Sequence, residues 1–276
     1  MNIFLPLATY PDPVDEGHLE AALAVARHLG AGVTGAGVEV DIPQVKNKLA
    51  EAILHLSDQI RAAEQASHAH AARLLQKLAS LAVSAGVEVT SESFRAAPAF
   101  LDEAIASHAR FHDLVVLPAP KGDVAARATA EAVIFGSGRP VMLLPGPGAA
   151  VTRFDTIVLA TDFGRVATRA LFDAAPFLTR AGRIVAVTVT GEKDVSQGNR
   201  AALAAHFGRL GLAAEVVQFD AGDQDVGGAL QDYVDRLGGG MLVMGAFGHS
   251  RVRDFVLGGV TRSVLFDLRH PVLMSC

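Results

Sequence analysis

The second half of the chain holds glycines whose spacing suits the binding of an oxyanion. Gly245, Gly248 and Gly258 form a G-x2-G-x9-G pattern that begins where an apolar run ends, and Gly259 follows directly. Glycines at such a position let backbone N–H groups approach an oxyanion without a Cβ in the way. A helix that begins at these last two glycines adds unpaired N–H groups and the positive end of its dipole. The pattern predicts a phosphate-binding loop, although this spacing is also found in ordinary turns.

A carboxylate follows another apolar run of the same half. Asp162 stands directly after the segment that ends with Ala160 and Thr161. Its side chain can accept hydrogen bonds from ribose hydroxyls or from an adenine amino group. It can equally cap a helix that starts near Val166, and both roles stay open.

Apolar runs of strand length alternate with amphipathic stretches along the whole chain, which is the pattern of strands alternating with helices. Strands are predicted at 3–8, 32–40, 87–94, 114–118, 141–144, 156–160, 184–189, 214–219, 241–245 and 272–275. Helices are predicted at 16–29, 49–84, 99–112, 125–135 and 197–210. Because the strands are nearly continuous in Val, Leu and Ile, they should form parallel sheets covered by helices on both faces. The predicted fold class is α/β.

The chain repeats itself. Residues 113–117 align with 240–244, and residues 140–143 align with 271–274, so both final strands follow a proline. A Pro- and Gly-rich segment at 145–150 reads as a linker. We therefore predict two tandem doubly wound domains, 1–147 and 153–276, each with a five-stranded parallel sheet of strand order 3-2-1-4-5. In that order the first and fourth strands are neighbours, and the crevice between them would bring Asp162 and the Gly245 loop together.

The first repeat lacks the glycines of the second. Four other residues stand at their positions: Pro118, Lys121, Arg127 and Ala128. Proline has no N–H, and the loop is four residues shorter, so this repeat cannot hold phosphate by the same route. We expect a structural or regulatory role for it.

Composition excludes several classes of function. The 276-residue chain is 50% hydrophobic and 19% charged, with a net charge of -5, so it has no basic surface that would attract nucleic acid. It shows no signal peptide and no apolar run long enough to span a membrane, so we expect it in the cytoplasm. Its one cysteine, Cys276, excludes an intrachain disulfide.

Two other groups of polar residues favour structural roles over metal binding. His108 and His112 lie four residues apart near the end of a predicted helix, a position that favours histidine through the helix dipole. Asp220, Asp223 and Asp225 lack the remaining spacing of a calcium loop, so we interpret them as a turn and a helix N-cap. No metal site is predicted.

The residues with the most specific pattern resemble those of the universal stress protein family. They are the strand-ending Asp162, Val187 on the second strand, the glycine pattern running into Val260 and Thr261, and His270–Pro271–Val272. The whole chain resembles the tandem form of that family. The resemblance implies an adenine nucleotide alpha hydrolase-like fold, binding of ATP or AMP, with or without Mg²⁺, and a role in stress responses. It also implies pairing of domains through their last strands.

Carried over residue by residue, the resemblance implies contacts with adenosine, with phosphates and with the walls of the site. The contacts with adenosine would come from Ala160, Thr161, Asp162 and Val187. The contacts with the phosphates would come from Gly245, Gly248, His249, Gly258, Gly259, Val260 and Thr261. The walls would be lined by Met244 and Phe247.

One residue departs from the family pattern. The family usually has Ser or Thr directly after the third glycine, where this chain has Gly259. The backbone N–H of Gly259 and the hydroxyl of Thr261 remain. Loss of one neutral hydrogen bond, about 0.5–1.5 kcal/mol, should weaken phosphate binding without abolishing it.

The resemblance favours a nucleotide-binding regulatory module, and two alternatives stay open. One is an enzyme that slowly hydrolyses ATP or transfers a phosphoryl or adenylyl group, although the sequence has no Walker, G-x-S-x-G, H-E-x-x-H or C-x-x-C motif in a usable context. The other is an interaction protein with a vestigial site. We expect the two repeats to pair as an intrachain pseudo-dimer, with a homodimer and an unidentified protein partner left open.

Overall fold

The computed structural model describes residues 1–43, 56–119, 121–146, 153–190, 197–247 and 259–276. The chain divides into two compact units, Met1–Val116 and Leu117–Cys276. None of the described helices combines the length and the apolar character needed to cross a lipid bilayer.

The first unit is a parallel sheet covered by helices. Its strands are β1 (Asn2–Ala8), β2 (Gly32–Val40), β3 (Val89–Ala96) and the start of β4 (Leu114–Pro118). They are hydrogen-bonded in the order β3-β2-β1-β4, all parallel. The helices are α1 (Glu16–Leu29), α2 (Leu56–Ala85) and α3 (Leu101–Ala109), the last preceded by a 3₁₀ turn at Pro98–Phe100.

Six of the described strands lie wholly in the second unit, which also carries the glycine-rich segment. The strands are β5 (Val141–Leu144), β6 (Thr156–Ala160), β7 (Arg183–Thr190), β8 (Ala214–Asp220), β9 (Met241–Gly245) and β10 (Val272–Ser275). Their order is β5-β10-β9-β6-β7-β8, and only the pairing of β5 with β10 is antiparallel among the described pairs. The helices are α4 (Val124–Gly136), α5 (Arg165–Asp173), α6 (Ala175–Leu178), α7 (Gln197–Arg209), α8 (Val226–Arg236) and α9 (Gly259–Phe266).

Local sequence explains where the helices begin and end. Asp15 precedes α1 and accepts a hydrogen bond from the backbone of Gly17, and Gly30 ends that helix in the left-handed conformation. Asp225 caps α8 by accepting from the backbone of Gly228, which confirms the predicted N-cap. The central strands are buried on both faces, because helices cover both sides of the sheet.

The structure confirms the α/β class. Along the sheet the neighbouring strands are β3-β2-β1-β4-β5 in the first repeat and β10-β9-β6-β7-β8 in the second, which is the order 3-2-1-4-5 predicted for both. The second compact unit nevertheless includes a strand of the first repeat. The reason is that β5, the last strand of the first sequence repeat, pairs with β10 and so belongs to the second unit. The two compact units divide within β4, and the domain limits at 147 and 153 stay a prediction. Residues 147–152 lie outside the described residues.

Two predicted elements differ from the structure by two or more residues at a described end. The third strand begins at Val89 rather than at residue 87, because Gly86 ends α2 in the left-handed conformation and Val87 still bonds back to Ala82. The helix predicted at 99–112 ends at Ala109, so the second histidine of the pair discussed above lies beyond it. Residues 49–55 of the long predicted helix lie outside the described part of the chain.

Candidate functional site

The carboxyl ends of β6, β7 and β9 lie side by side in the second unit. β6 pairs in parallel with β9 through Leu159 and Val243, and with β7 through Ala160 and Val187. The segments that leave β6 and β9 therefore start at the same edge of the sheet. This is the edge at which open α/β sheets bind ligands.

A cavity of about 580 Å³ opens at this edge. Ten of the predicted site residues line it: Ala160, Thr161, Asp162, Val187, Met244, Gly245, Phe247, Gly259, Val260 and Thr261. Six residues that were not predicted also line it: Val166, Ala167, Val189, Asp225, Val226 and Leu230. The remaining predicted residues, Gly248, His249 and Gly258, lie outside the described residues.

The carboxylate at the end of β6 organises a tight turn. Asp162 accepts a hydrogen bond of 2.8 Å at Oδ1 from the backbone N–H of Gly164. Gly164, not Asp162, is the N-cap of α5, and no side chain caps that helix. The alternative in which Asp162 caps the helix is therefore wrong. Thr161 supports the same turn, because its Oγ1 accepts from the N–H of Phe163, a residue in the left-handed conformation.

Gly245 and Gly259 line the same cavity but are constrained differently. A Cβ on Gly245 would lie 2.6 Å from the backbone nitrogen of Ala167 and 2.6 Å from the carbonyl carbon of Val166. The absence of a side chain at Gly245 therefore lets β9 pack against α5. A Cβ on Gly259 would meet no atom of the described residues within 4 Å. Only Gly259 leaves room for a side chain.

Two hydrogen bonds fix the start of the loop after β9. Ala246 donates from its backbone to the carbonyl of Ser275 at 2.7 Å. Phe247 has a positive φ of 61° and donates from its backbone to Oγ1 of Thr261 at 3.4 Å. A residue with a side chain rarely adopts this left-handed conformation, so contacts with its surroundings must hold Phe247 in it.

The inner wall of the cavity is apolar. Val187, Leu230 and Met244 are at most 3% exposed, and Val189 lies beside them. Such a surface can accept the face of an aromatic ring, while the polar groups at the rim fix its orientation.

Helix α8 and its N-cap supply three of the six lining residues that the sequence analysis missed, Asp225, Val226 and Leu230. The sequence predicts Asp225 only as part of a turn and an N-cap. Its position at the start of a helix at the ligand-binding edge is the feature that could have identified it as a site residue. Desolvation is the largest single contribution and by itself would raise the pKa of the Asp225 carboxyl. Hydrogen bonds from Ser263, Gly228 and Gly227 and the charge of Arg269 together outweigh it, so the pKa is lowered. The carboxylate therefore stays ionised at the cavity edge.

An arginine positions α8. The guanidinium of Arg269 donates to Asp232 at 2.7 Å, to Asp235 at 2.8 Å and to the carbonyl of Gly228 at 3.1 Å. Charge-assisted bonds of this kind are stronger than neutral ones. They fix α8 to the connection that precedes β10.

The equivalent position in the first unit differs in chemistry. Tyr10 follows Ala8 and Thr9 there, as Asp162 follows Ala160 and Thr161. Thr9 is 3% exposed, donates to the carbonyl of Val38 at 2.7 Å and lies 2.6 Å from the hydroxyl of Ser67 on α2. The first repeat thus lacks the carboxylate as well as the glycines.

The histidine pair of the first unit has other contacts. His108 stacks on Phe94 with ring centroids 3.9 Å apart, and its Nδ1 lies 3.7 Å from Glu92. His112 has its Nδ1 3.2 Å from the carbonyl of His108 and its ring beside Phe4. Among the described residues no group of three or more potential metal ligands occurs.

The second repeat matches a known family. The sequence model of the universal stress protein family matches residues 153–275. Those residues form a universal stress protein domain. The domain includes every predicted site residue, and the chain as a whole contains two α/β units, which is consistent with the tandem form of the family.

Solved universal stress proteins share the fold of the whole chain. A universal stress protein from Archaeoglobus fulgidus is similar with a TM-score of 0.72 and 16% identity, over 99% of this chain and 97% of that one. A protein from Pseudomonas aeruginosa, provisionally named a universal stress protein, is similar with a TM-score of 0.59 and 13% identity, over 99% of this chain and 92% of that one. At these identities the similarity establishes the fold. No curated protein matches the sequence.

Proposed function

We propose that the universal stress domain of the second repeat binds an adenine nucleotide, ATP or AMP, and acts as a regulatory module in a stress response. The observation that carries the proposal is the cavity of about 580 Å³ that Asp162 and Gly259 both line. Its volume falls within the range of about 300–1,000 Å³ that is usual for small-molecule sites.

Each part of the ligand has a matching surface. The apolar wall formed by Val187, Met244 and Leu230 suits the adenine ring, and the carboxylate of Asp162 suits the ribose hydroxyls or the adenine amino group. The first turn of α9, an eight-residue helix, presents the N–H groups of Gly259 and Val260 to the phosphates.

Isothermal titration with AMP, ADP, ATP and adenosine, with and without Mg²⁺, tests the proposal. We expect one site per chain and about tenfold weaker binding for Asp162→Asn, because a charge-assisted hydrogen bond becomes a neutral one. Asparagine keeps the turn, since its side-chain oxygen can still accept from Gly164.

Asp220→Asn is the matched control. Asp220 accepts from the backbone of Gly222 at 2.9 Å, which is the same local turn, but it does not line the cavity. This control should bind as the wild type does. Absence of heat for all four ligands at millimolar concentration would refute the proposal and favour an interaction protein. Release of phosphate or of pyrophosphate from ATP above background would instead favour the enzyme.

A further inference from the structure

An aromatic contact joins the cavity wall to helix α4. The ring centroids of Phe135 and Phe247 lie 3.7 Å apart, with the ring planes at 27°. Phe247 lines the cavity, whereas Phe135 lies in the last turn of α4 and is half exposed. Helix α4 comes from the first sequence repeat but belongs to the second compact unit. A residue of the first repeat thus contacts the site of the second.

The contact acts on a residue with an unfavourable backbone. Phe247 has a φ of 61°, and the bond from its N–H to Thr261 is long at 3.4 Å. A single long hydrogen bond is a weak restraint. Ring stacking with Phe135 is a second described contact of this residue, and it acts on the side chain.

The counterpart of Phe135 in the second repeat makes a different contact. Phe266 occupies the same position in α9, as the alignment of the following strands shows. Its ring lies under the guanidinium of Arg127, 5.7 Å from the ring centroid, and it is 60% exposed. Phe266 does not line the cavity. Substitution of Phe266 is therefore a matched control for substitution of Phe135.

We propose that Phe135 is a positioning residue for ligand binding in the second repeat, because its ring holds Phe247 in the conformation that forms the cavity wall. The proposal rests on the nucleotide-binding function proposed above. It gives the first repeat, which lacks the glycines and the carboxylate, a part in setting the affinity of the second.

Titration of AMP into four variants tests the proposal. Phe135→Ala and Phe135→Leu should weaken binding by about threefold to tenfold, the range expected when an aromatic pair is lost. Leucine keeps an apolar side chain against Phe247, so Phe135→Leu separates the effect of ring stacking from that of simple packing. The same variant tests the proposal if Phe135→Ala unfolds. Phe135→Tyr keeps the ring and should bind within about twofold of the wild type, as should Phe266→Ala.

A spectroscopic signature gives an independent readout. The chain has no tryptophan, so Phe135→Trp introduces a single tryptophan against Phe247. The emission of this tryptophan can be excited apart from that of the two tyrosines. Its emission should change when AMP saturates the site. Phe266→Trp should show no such change.

The outcomes separate this inference from the proposed function. If the wild type binds AMP and Phe135→Leu binds it equally well, the inference is wrong and the proposed function stands. If Phe266→Ala weakens AMP binding as much as Phe135→Ala does, the effect is general packing and the inference is again wrong. If the wild type binds no nucleotide, both fail together.

Discussion

The backbone N–H of Phe247 donates to Oγ1 of Thr261, and this bond ties the loop after β9 to the first turn of α9. Thr261 is 3% exposed and lines the cavity. Because its oxygen accepts there, its own proton can be donated to a phosphate oxygen. One hydroxyl can therefore support both the wall of the cavity and its ligand.

Replacement of this hydroxyl by a methyl group should affect both roles. We expect Thr261→Val to lower the free energy of unfolding by about 1 kcal/mol, because the N–H of Phe247 loses its acceptor, and to weaken AMP binding severalfold. Urea unfolding and isothermal titration measure the two effects. Thr129→Val on α4 is the control, because Thr129 is half-buried and its hydroxyl donates within its own helix, to the carbonyl of Ala125. Equal behaviour of the two variants would contradict the role of Thr261.

Gly245 should tolerate no side chain. In Gly245→Ala the new Cβ would meet the backbone of α5 at 2.6 Å, and backbone atoms cannot rotate away. We expect a loss of about 1–3 kcal/mol in the free energy of unfolding, as for other overpacked sites. Gly208→Ala on α7 has open space and should be neutral or stabilising. A neutral Gly245→Ala would show that β9 and α5 do not pack this closely.

His18 should make the stability of the chain depend on pH. Burial lowers the pKa of His18 from 6.5 to about 4, against the opposing effects of Asp15 and of a hydrogen bond with the backbone of Val116. Between these values the unfolded chain binds a proton that the folded chain excludes. The free energy of unfolding should therefore be complete above pH 6.5 and fall towards pH 4, by about 3 kcal/mol at most.

Urea unfolding at several pH values checks this prediction. His18→Gln cannot take up the proton, so its unfolding free energy should fall less between pH 6.5 and pH 4 than that of the wild type. Parallel pH profiles for the two proteins would mean that His18 is accessible to protons in the folded state.

Most strands of the fold follow from local patterns in the sequence. The limits predicted for β2, β4, β5, β6, β9 and β10 agree with the structure, because each is a short apolar run between turn residues or helices. The pairing of β5 with β10 does not follow from local patterns and was implied only by the resemblance to the universal stress protein family. The pairing of Val272 with Leu143 joins residues far apart in the chain, and apolar periodicity does not specify which strand edge meets which.

The candidate site could likewise be predicted only in part. Asp162 at the end of β6 and Gly259 at the start of α9 could be named because they stand in a recognisable pattern. Leu230 could not be distinguished from any other buried leucine, because only packing of α8 brings it to the cavity. The contact of Phe135 with Phe247 likewise depends on tertiary structure.

The most direct test of nucleotide binding by the universal stress domain is a titration of AMP and adenosine into the wild type, Gly259→Ser and Gly259→Asp. A Cβ at Gly259 meets no atom of the part of the chain that the structure describes within 4 Å, so both side chains have room there, and aspartate in the first turn of a helix favours folding. Serine restores the missing hydroxyl and should tighten AMP binding by about threefold to tenfold, whereas aspartate should repel the phosphate and weaken it by more than about tenfold. Adenosine, which has no phosphate, should bind all three proteins alike. Equal AMP affinity of the serine and aspartate variants would contradict a phosphate site at the start of α9.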